Sequence, residues 1–268
     1  MEVITSSQNR KVRWVLSLKK KEQRKEEGLF LIEGPKMLEE AQKSNVEIEM
    51  VLFDPAGHGG LALRAMAEQC EQGGAQALEV NAAIMRAVCD TVTPQGILAV
   101  CREKNMLSLA QNEAQTVLIL DRIRDPGNVG TIIRCAEGLG IDQIIAIDCA
   151  DIYAGKVVRS TMGSIFRQNV RVCGGENTVI EELRQNRYKM YAAVLRENSV
   201  PIDALDFSGR VAVIIGNEAN GVDEALLPEC DALFHIPMRP SVESFNAATS
   251  AAIVMWEMQK NRGDKDDR

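Results

Sequence analysis

From Thr116 onward, blocks of uninterrupted apolar residues alternate with longer stretches in which apolar positions recur every three or four residues. Residues 117–120 (VLIL), 144–147 (IIAI), 191–194 (YAAV) and 211–215 (VAVII) are such blocks. Short apolar runs bounded by turn residues predict strands buried on both faces, as in a parallel sheet. Between the first two blocks, Asp125-Pro126-Gly127 breaks the chain as a turn and Asn128 stands where a helix N-cap belongs. Ile132, Ile133, Ala136 and Leu139 then keep helical spacing, and Gly138 and Gly140 close the helix. The unit is βαβ. Ligands in such sheets sit beyond the carboxyl ends of the strands, where this turn lies. Helices over 154–161 and 178–186, a strand over 232–237 and a helix opening at Ala247 continue the pattern.

The first hundred residues alternate in the same way with shorter elements. The spacing predicts a basic helix over 5–27 with Val12, Val15, Leu16 and Leu18 on its apolar side, a short strand within 28–35 that ends in a turn, and a helix at 36–43. A strand at 50–53, a helix at 61–71 and an extended stretch at 77–80 follow. Asn81 caps a helix that runs through Val88, and the Thr93-Pro94-Gln95-Gly96 turn leads into a strand at 97–101. Three segments result: an α/β unit over 1–104, a polar linker over 105–115 and a second unit over 116–268 with a frayed charged tail.

Composition narrows the function classes. No apolar run is long enough to span a membrane, and the amino-terminal stretch lacks the apolar core of a secretion signal. Seven cysteines without a CxxC predict reduced thiols in a cytoplasmic protein. With two histidines and no HExxH, no metal site is expected, and the absence of GxxxxGK[ST] and GxGxxG argues against a P-loop or dinucleotide enzyme. The net charge of −7 argues against a nucleic-acid partner until its distribution is considered. Residues 1–27 hold eight Lys/Arg against four Glu, a charge of +4 that leaves −11 for the rest. A local basic segment can meet phosphates while the body stays acidic, although a charge run is also an ordinary solvated helix face.

Two polar residues of the βαβ unit are candidates for chemistry, each with a bland alternative. Asn128 is a cap by position, and Arg134, opposite the apolar stripe, is a solvated surface residue. Gly130 suits close approach to the backbone, by a ligand or by the sheet.

The run Asn128-x-Gly130-x-x-x-Arg134, with Pro126 before it and Ala136 and Gly140 after it, resembles the first motif of the SpoU (TrmH-like) RNA ribose 2′-O-methyltransferases. Gly216-Asn217-Glu218-Ala219-Asn220-Gly221, at the end of an apolar block, resembles the second. The stretch 236–246 (IPMRPSVESFN) resembles the third, departing from it at Pro240, where the family has Gly, and at Phe245, where it has Leu. Ser160, Gly163, Ser164 and Phe166 resemble the spacer between the first two motifs. Residues 30–41 and 94–100 resemble the small L30e-like substrate-binding domain that precedes the catalytic domain in many members.

The resemblance implies an α/β fold, a mostly parallel sheet with a C-terminal trefoil knot of the SPOUT type, preceded by a small α/β L30e-like domain. It implies S-adenosylmethionine as cofactor, a homodimer, no metal, and RNA as substrate, ribosomal RNA foremost. Arg134, Asn128, Glu218, Ser244 and Asn246 would be catalytic. Gly216, Asn217, Ile236, Met238, Phe245 and Ala247 would bind the cofactor. A guanidinium stays protonated in proteins, so the role implied for Arg134 is holding phosphate and stabilising charge on the ribose oxygen. Two alternatives stay open: a transfer RNA ribose methyltransferase, and a non-catalytic RNA-binding assembly factor with the same fold.

Overall fold

The computed structural model describes residues 1–57, 59–104, 108–109, 113–175, 177–217, 219–239, 241 and 244–260. They fall into two compact units, Met1–Asn105 with Tyr153–Phe166, and Met106–Ile152 with Arg167–Arg268. No helix among the described residues is long and apolar enough to cross a membrane.

The first unit is built on five strands: β1 (Glu2–Ile4), β2 (Leu29–Glu33), β3 (Ile48–Phe53), β4 (Gln76–Val80) and β5 (Ile97–Arg102). They lie in the order β1-β4-β3-β5-β2, and β5 runs antiparallel to both neighbours. One face of the sheet packs on Val12, Val15 and Leu18 and on Ile84, Met85 and Val88. The basic helix expected over 5–27 is instead strand β1 followed by two helices, α1 (Arg10–Ser17) and α2 (Lys21–Glu27). The break has a physical cause. Leu18 is fully buried, and the nearly buried Arg24 donates from Nη1 to the carbonyls of Leu18 and Lys19, both at 2.8 Å. Those are carbonyls that a helix end leaves open, so a charge with the look of a solvated face acts as a cap.

Helices α3 (Pro35–Lys43), α4 (Gly60–Gln72) and α5 (Ala82–Val88) complete the contiguous part of this unit. The remainder comes from later in the chain. Phe30 packs on Tyr153 with ring centroids 4.7 Å apart and lies 6.3 Å from Phe166. Glu33 meets Arg159 at 3.5 Å.

The second unit holds a seven-stranded sheet in which every pairing is parallel. Its strands are β6 (Thr116–Asp121), β7 (Gln143–Ile147), β8 (Val170–Cys173), β9 (Lys189–Ala193), β10 (Val200–Pro201), β11 (Val211–Ile215) and β12 (Ala232–His235). The order is β10-β12-β9-β11-β6-β7-β8. All six residues of β6 and all five of β11 are buried, which is why these blocks carry no alternation. Helix α6 (Pro126–Leu139) follows β6. Helix α7 (Gly155–Ser160) belongs to the first unit, α8 (Asn177–Gln185) precedes β9, and α9 (Ala247–Lys260) packs along α6. After β6 the chain moves to β7 on one side, and after β11 it moves to β12 on the other. The direction of winding reverses between β6 and β11, so the crevice at their carboxyl ends is the topological switch point of the sheet.

Candidate functional site

The end of β11 builds one wall of that crevice. After Ile215 the chain doubles back, with Asn217 and Gly221 exchanging backbone hydrogen bonds of 3.2 and 2.8 Å. The returning strand passes so close that a Cβ on Gly216 would stand 2.1 Å from the carbonyl carbon of Gly221. Glycine is the residue this contact admits. Gly221 itself turns at φ 68°.

The loop is tied to the end of β6. Asp121, 2% exposed, accepts from the Asp223 N–H at 2.8 Å and from Arg122 Nη2 at 3.2 Å, with the guanidinium Nε in ion-pair range at 3.0 Å. Arg122 Nη1 reaches the Asp223 carboxylate at 2.7 Å, and its backbone carbonyl accepts from Asn217 Nδ2 at 3.1 Å. Burial pushes the Asp121 carboxyl above the usual range, against the opposing pull of the Asp223 N–H and the Arg122 guanidinium.

Beside this wall lies a cleft of about 300 Å³, bounded also by the end of β9 and by the segment leading into α9. That volume falls within the range of small-molecule sites. Gly216, Asn217, Ser244, Phe245 and Ala247 line it. Ile236 and Met238, half-buried on the stretch after β12, are not among its described lining residues. Glu218 and Pro240 lie outside the described residues. Leu195, Arg196 and Glu224 line the cleft without having been singled out in the sequence, and Arg196 and Glu224 form an ion pair there. Their one signal was position, just past the ends of β9 and β11.

The other component is the start of α6. Its N-cap is Asp125, whose Oδ1 accepts from the Asn128 N–H at 2.8 Å, with Pro126 at the first helical position. The cap expected at Asn128 therefore sits three residues earlier. The side chain of Asn128 is thereby released from capping, and its Oδ1 accepts from Asn246 Nδ2 at 3.0 Å. Asn246 in turn caps α9, its Oδ1 taking the Ala248 N–H at 3.0 Å. The two helix starts are joined at this point.

Arg134 is exposed on α6 and has no ion pair or hydrogen bond among the described residues. One and two turns toward the amino end, on its own face, stand Gly130, Thr131 and Gly127. Helical side chains lean toward the amino end of their helix. The small residues thus leave the surface over the first turns of α6 uncovered on the face of Arg134.

The chain matches the SpoU rRNA Methylase family over residues 115–256 and the MRM3-like substrate binding domain over residues 9–99. It is 34% identical over 260 residues to a 23S rRNA (guanosine(2553)-2′-O)-methyltransferase of Bacillus subtilis, covering 97% of this chain and 100% of the relative. A 23S rRNA (guanosine-2′-O-)-methyltransferase of Acinetobacter baylyi is 26% identical, covering 80% of this chain and 90% of that one. Among solved structures, an AdoMet-bound rRNA methyltransferase from Sinorhizobium meliloti superposes with a TM-score of 0.85 at 27% identity, over 98% of this chain and 99% of that one.

Proposed function

The chain belongs to the SpoU rRNA methylase family, and on that premise we infer that it transfers the methyl group of S-adenosylmethionine to a ribose 2′-hydroxyl of ribosomal RNA. The observation that carries this reading is the meeting of a small-molecule cleft with the Asn128–Asn246 junction at the switch point of a parallel sheet.

The cleft residues suit the cofactor. Gly216 leaves backbone exposed on a wall that a Cβ would disrupt, and Asn217, Ser244 and Phe245 offer polar and apolar contacts around it. When bound, S-adenosylmethionine supplies an electrophilic methyl on a good leaving group. The chain must supply orientation and charge stabilisation for a poor nucleophile. Arg134, uncommitted among the described residues, holds the phosphate next to the target ribose with its planar fork and stabilises negative charge growing on the 2′-oxygen. Solvent takes the hydroxyl proton as that charge develops. Asn128 and Asn246, each fixed by the other, set the ribose against the cleft. Glu218, Ile236 and Met238 keep the roles that the family resemblance gives them.

The first unit presents the RNA-binding surface, supported by its match to a substrate-binding domain and by the exposed Lys20, Lys21 and Lys25 beside α2. We read the working form as a two-fold dimer. On α9, Trp256 is 59% exposed, with Ile253 and Ala252 half-buried nearby at helical spacing, an apolar stripe of the kind a second copy covers. The carboxyl-terminal path is read as knotted, because β11 lies between two strands that precede it and the chain then returns to place α9 on α6. All seven cysteines are free thiols, which suits the cytoplasm.

The test is incubation of the full chain with ribosomal RNA and, in parallel, with transfer RNA, each with labelled S-adenosylmethionine, followed by mapping of 2′-O-methyl sites. Label at one ribose, lost with Arg134→Ala, is expected. Label confined to transfer RNA would move the substrate to the alternative class, and no label in any RNA would overturn the enzymatic reading.

A further inference from the structure

We propose that Asp121 and Arg122 are positioning residues that hold the 217–223 loop in its cofactor-binding shape and thereby set cofactor affinity. The proposal rests on the reading of the cleft as the S-adenosylmethionine site. None of the three motifs includes either residue.

Three observations lead there. The first is closure. Asn217, at one end of the loop, is bonded to the Arg122 carbonyl, and Asp223, at the other end, is bonded to Asp121 through its N–H and to Arg122 through its carboxylate. Both ends of the loop are thus fastened to two consecutive residues at the end of β6, while its middle, with Asn220, Gly221 and Val222, lines the cleft. The second is strain. Arg122 sits at φ 56°, a left-handed conformation that strains a residue with a Cβ and costs glycine nothing. An arginine at that position offsets the strain with contacts that glycine lacks, its bonds to Asp121 and Asp223 among them. The third is burial. Asp121 is 2% exposed at the end of a strand whose four central residues, Val117–Leu120, are apolar and buried. A buried carboxylate with hydrogen-bond partners on both the loop and the guanidinium is a costly feature for a strand end that has apolar neighbours throughout.

A loop fixed in advance loses less conformational freedom when ligand arrives, and affinity rises accordingly. Release of the loop raises the dissociation constant and leaves the transfer step to Arg134 and the asparagine pair.

The experiment is calorimetric titration of the full chain with S-adenosylmethionine, beside melting curves and steady-state methylation, for wild type, Arg122→Gly, Arg122→Lys and Asp121→Asn. Arg122→Gly is the decisive variant, because glycine accepts the backbone conformation and the guanidinium bridge to Asp121 and Asp223 is lost. It is expected to melt near wild type and to bind about tenfold more weakly, the scale of one lost charge-assisted hydrogen bond. Its KM for the cofactor should rise by the same factor while kcat holds. Arg122→Lys should recover part of the affinity and Asp121→Asn should lose it. A folded Arg122→Gly with wild-type affinity would overturn the proposal, as would a fall in kcat at unchanged KM, which would put Arg122 in the transfer step. If wild type itself takes up no S-adenosylmethionine, the reading of the cleft fails first, and the proposal with it.

Discussion

Asn246 donates its side-chain N–H to Asn128 Oδ1 at 3.0 Å, joining the starts of two helices that lie 118 residues apart in sequence. Asn246 also caps α9 with its own Oδ1. The two functions separate by mutation. Asn246→Asp keeps a good cap but removes the N–H that Asn128 accepts, so the melting temperature should hold while methyl transfer falls by about tenfold or more. Asn246→Ala loses both, adding a stability cost of about 1 kcal/mol. Full transfer by Asn246→Asp would show that the pair is merely structural.

Arg134→Ala should change stability by less than ~0.5 kcal/mol, because the exposed side chain makes no hydrogen bond or ion pair among the described residues. Single-turnover methylation with saturating cofactor should nevertheless fall by about a hundredfold, the scale of one lost preorganised electrostatic donor. Arg134→Lys keeps the charge but not the planar fork and should rescue little. Near-normal transfer by a folded Arg134→Ala would return the residue to the solvent.

Gly216→Ala places a methyl group 2.1 Å from the backbone of Gly221, with no flexible side chain there to give way. The loop must move, at a cost of about 1–3 kcal/mol. Cofactor titration should then show no binding near the wild-type affinity. Intact binding would mean that the cofactor does not use this wall.

Alkaline pH should weaken the fold. Burial pushes the thiols of Cys149 and Cys230 up to about 11, whereas in an unfolded chain a thiol ionises near ~8.5. Between these values only the unfolded chain sheds the proton. The stability contributed by the neutral thiols is therefore complete below the unfolded value and is lost as pH rises through about 11. Melting temperatures measured from pH 8 upward should fall, and Cys149→Ala should fall less steeply. At neutral pH Cys149 should alkylate slowly. Rapid labelling of the folded protein would contradict the raised thiol pKa.

Lys20, Lys21 and Lys25 are exposed. Changing all three to Ala should lower the slope of log affinity for RNA against log salt by about 2–3, one counterion per lost phosphate contact. An unchanged slope would place the RNA elsewhere.

The apolar blocks made the second unit legible, since strands with no polar residue have few homes other than a buried parallel sheet. Asn128 and Arg134 were visible through motif spacing. The site's supports were not. Asp125 and Asn128 are both good caps, and only the structure shows which one the helix uses. Arg24 has the composition of a solvated face and a position that caps α1. Asp121, Arg122 and Asp223 come together across a hundred residues, and no local periodicity records such a junction. Leu195 and Arg196 reach the cleft because β9 is a neighbour of β11, an order fixed by a crossover rather than by sequence proximity.

The packing of Phe30 and Glu33 against Tyr153, Arg159 and Phe166 has a consequence for synthesis. The ribosome delivers the chain amino end first, so the aromatic cover for Phe30 is made about 60 residues after the rest of its unit has emerged. At ~5–20 residues per second that is a delay of roughly 3–12 s, in which the nascent chain carries an open apolar seam. The seam closes only after α6, and with it Arg134, has already been made.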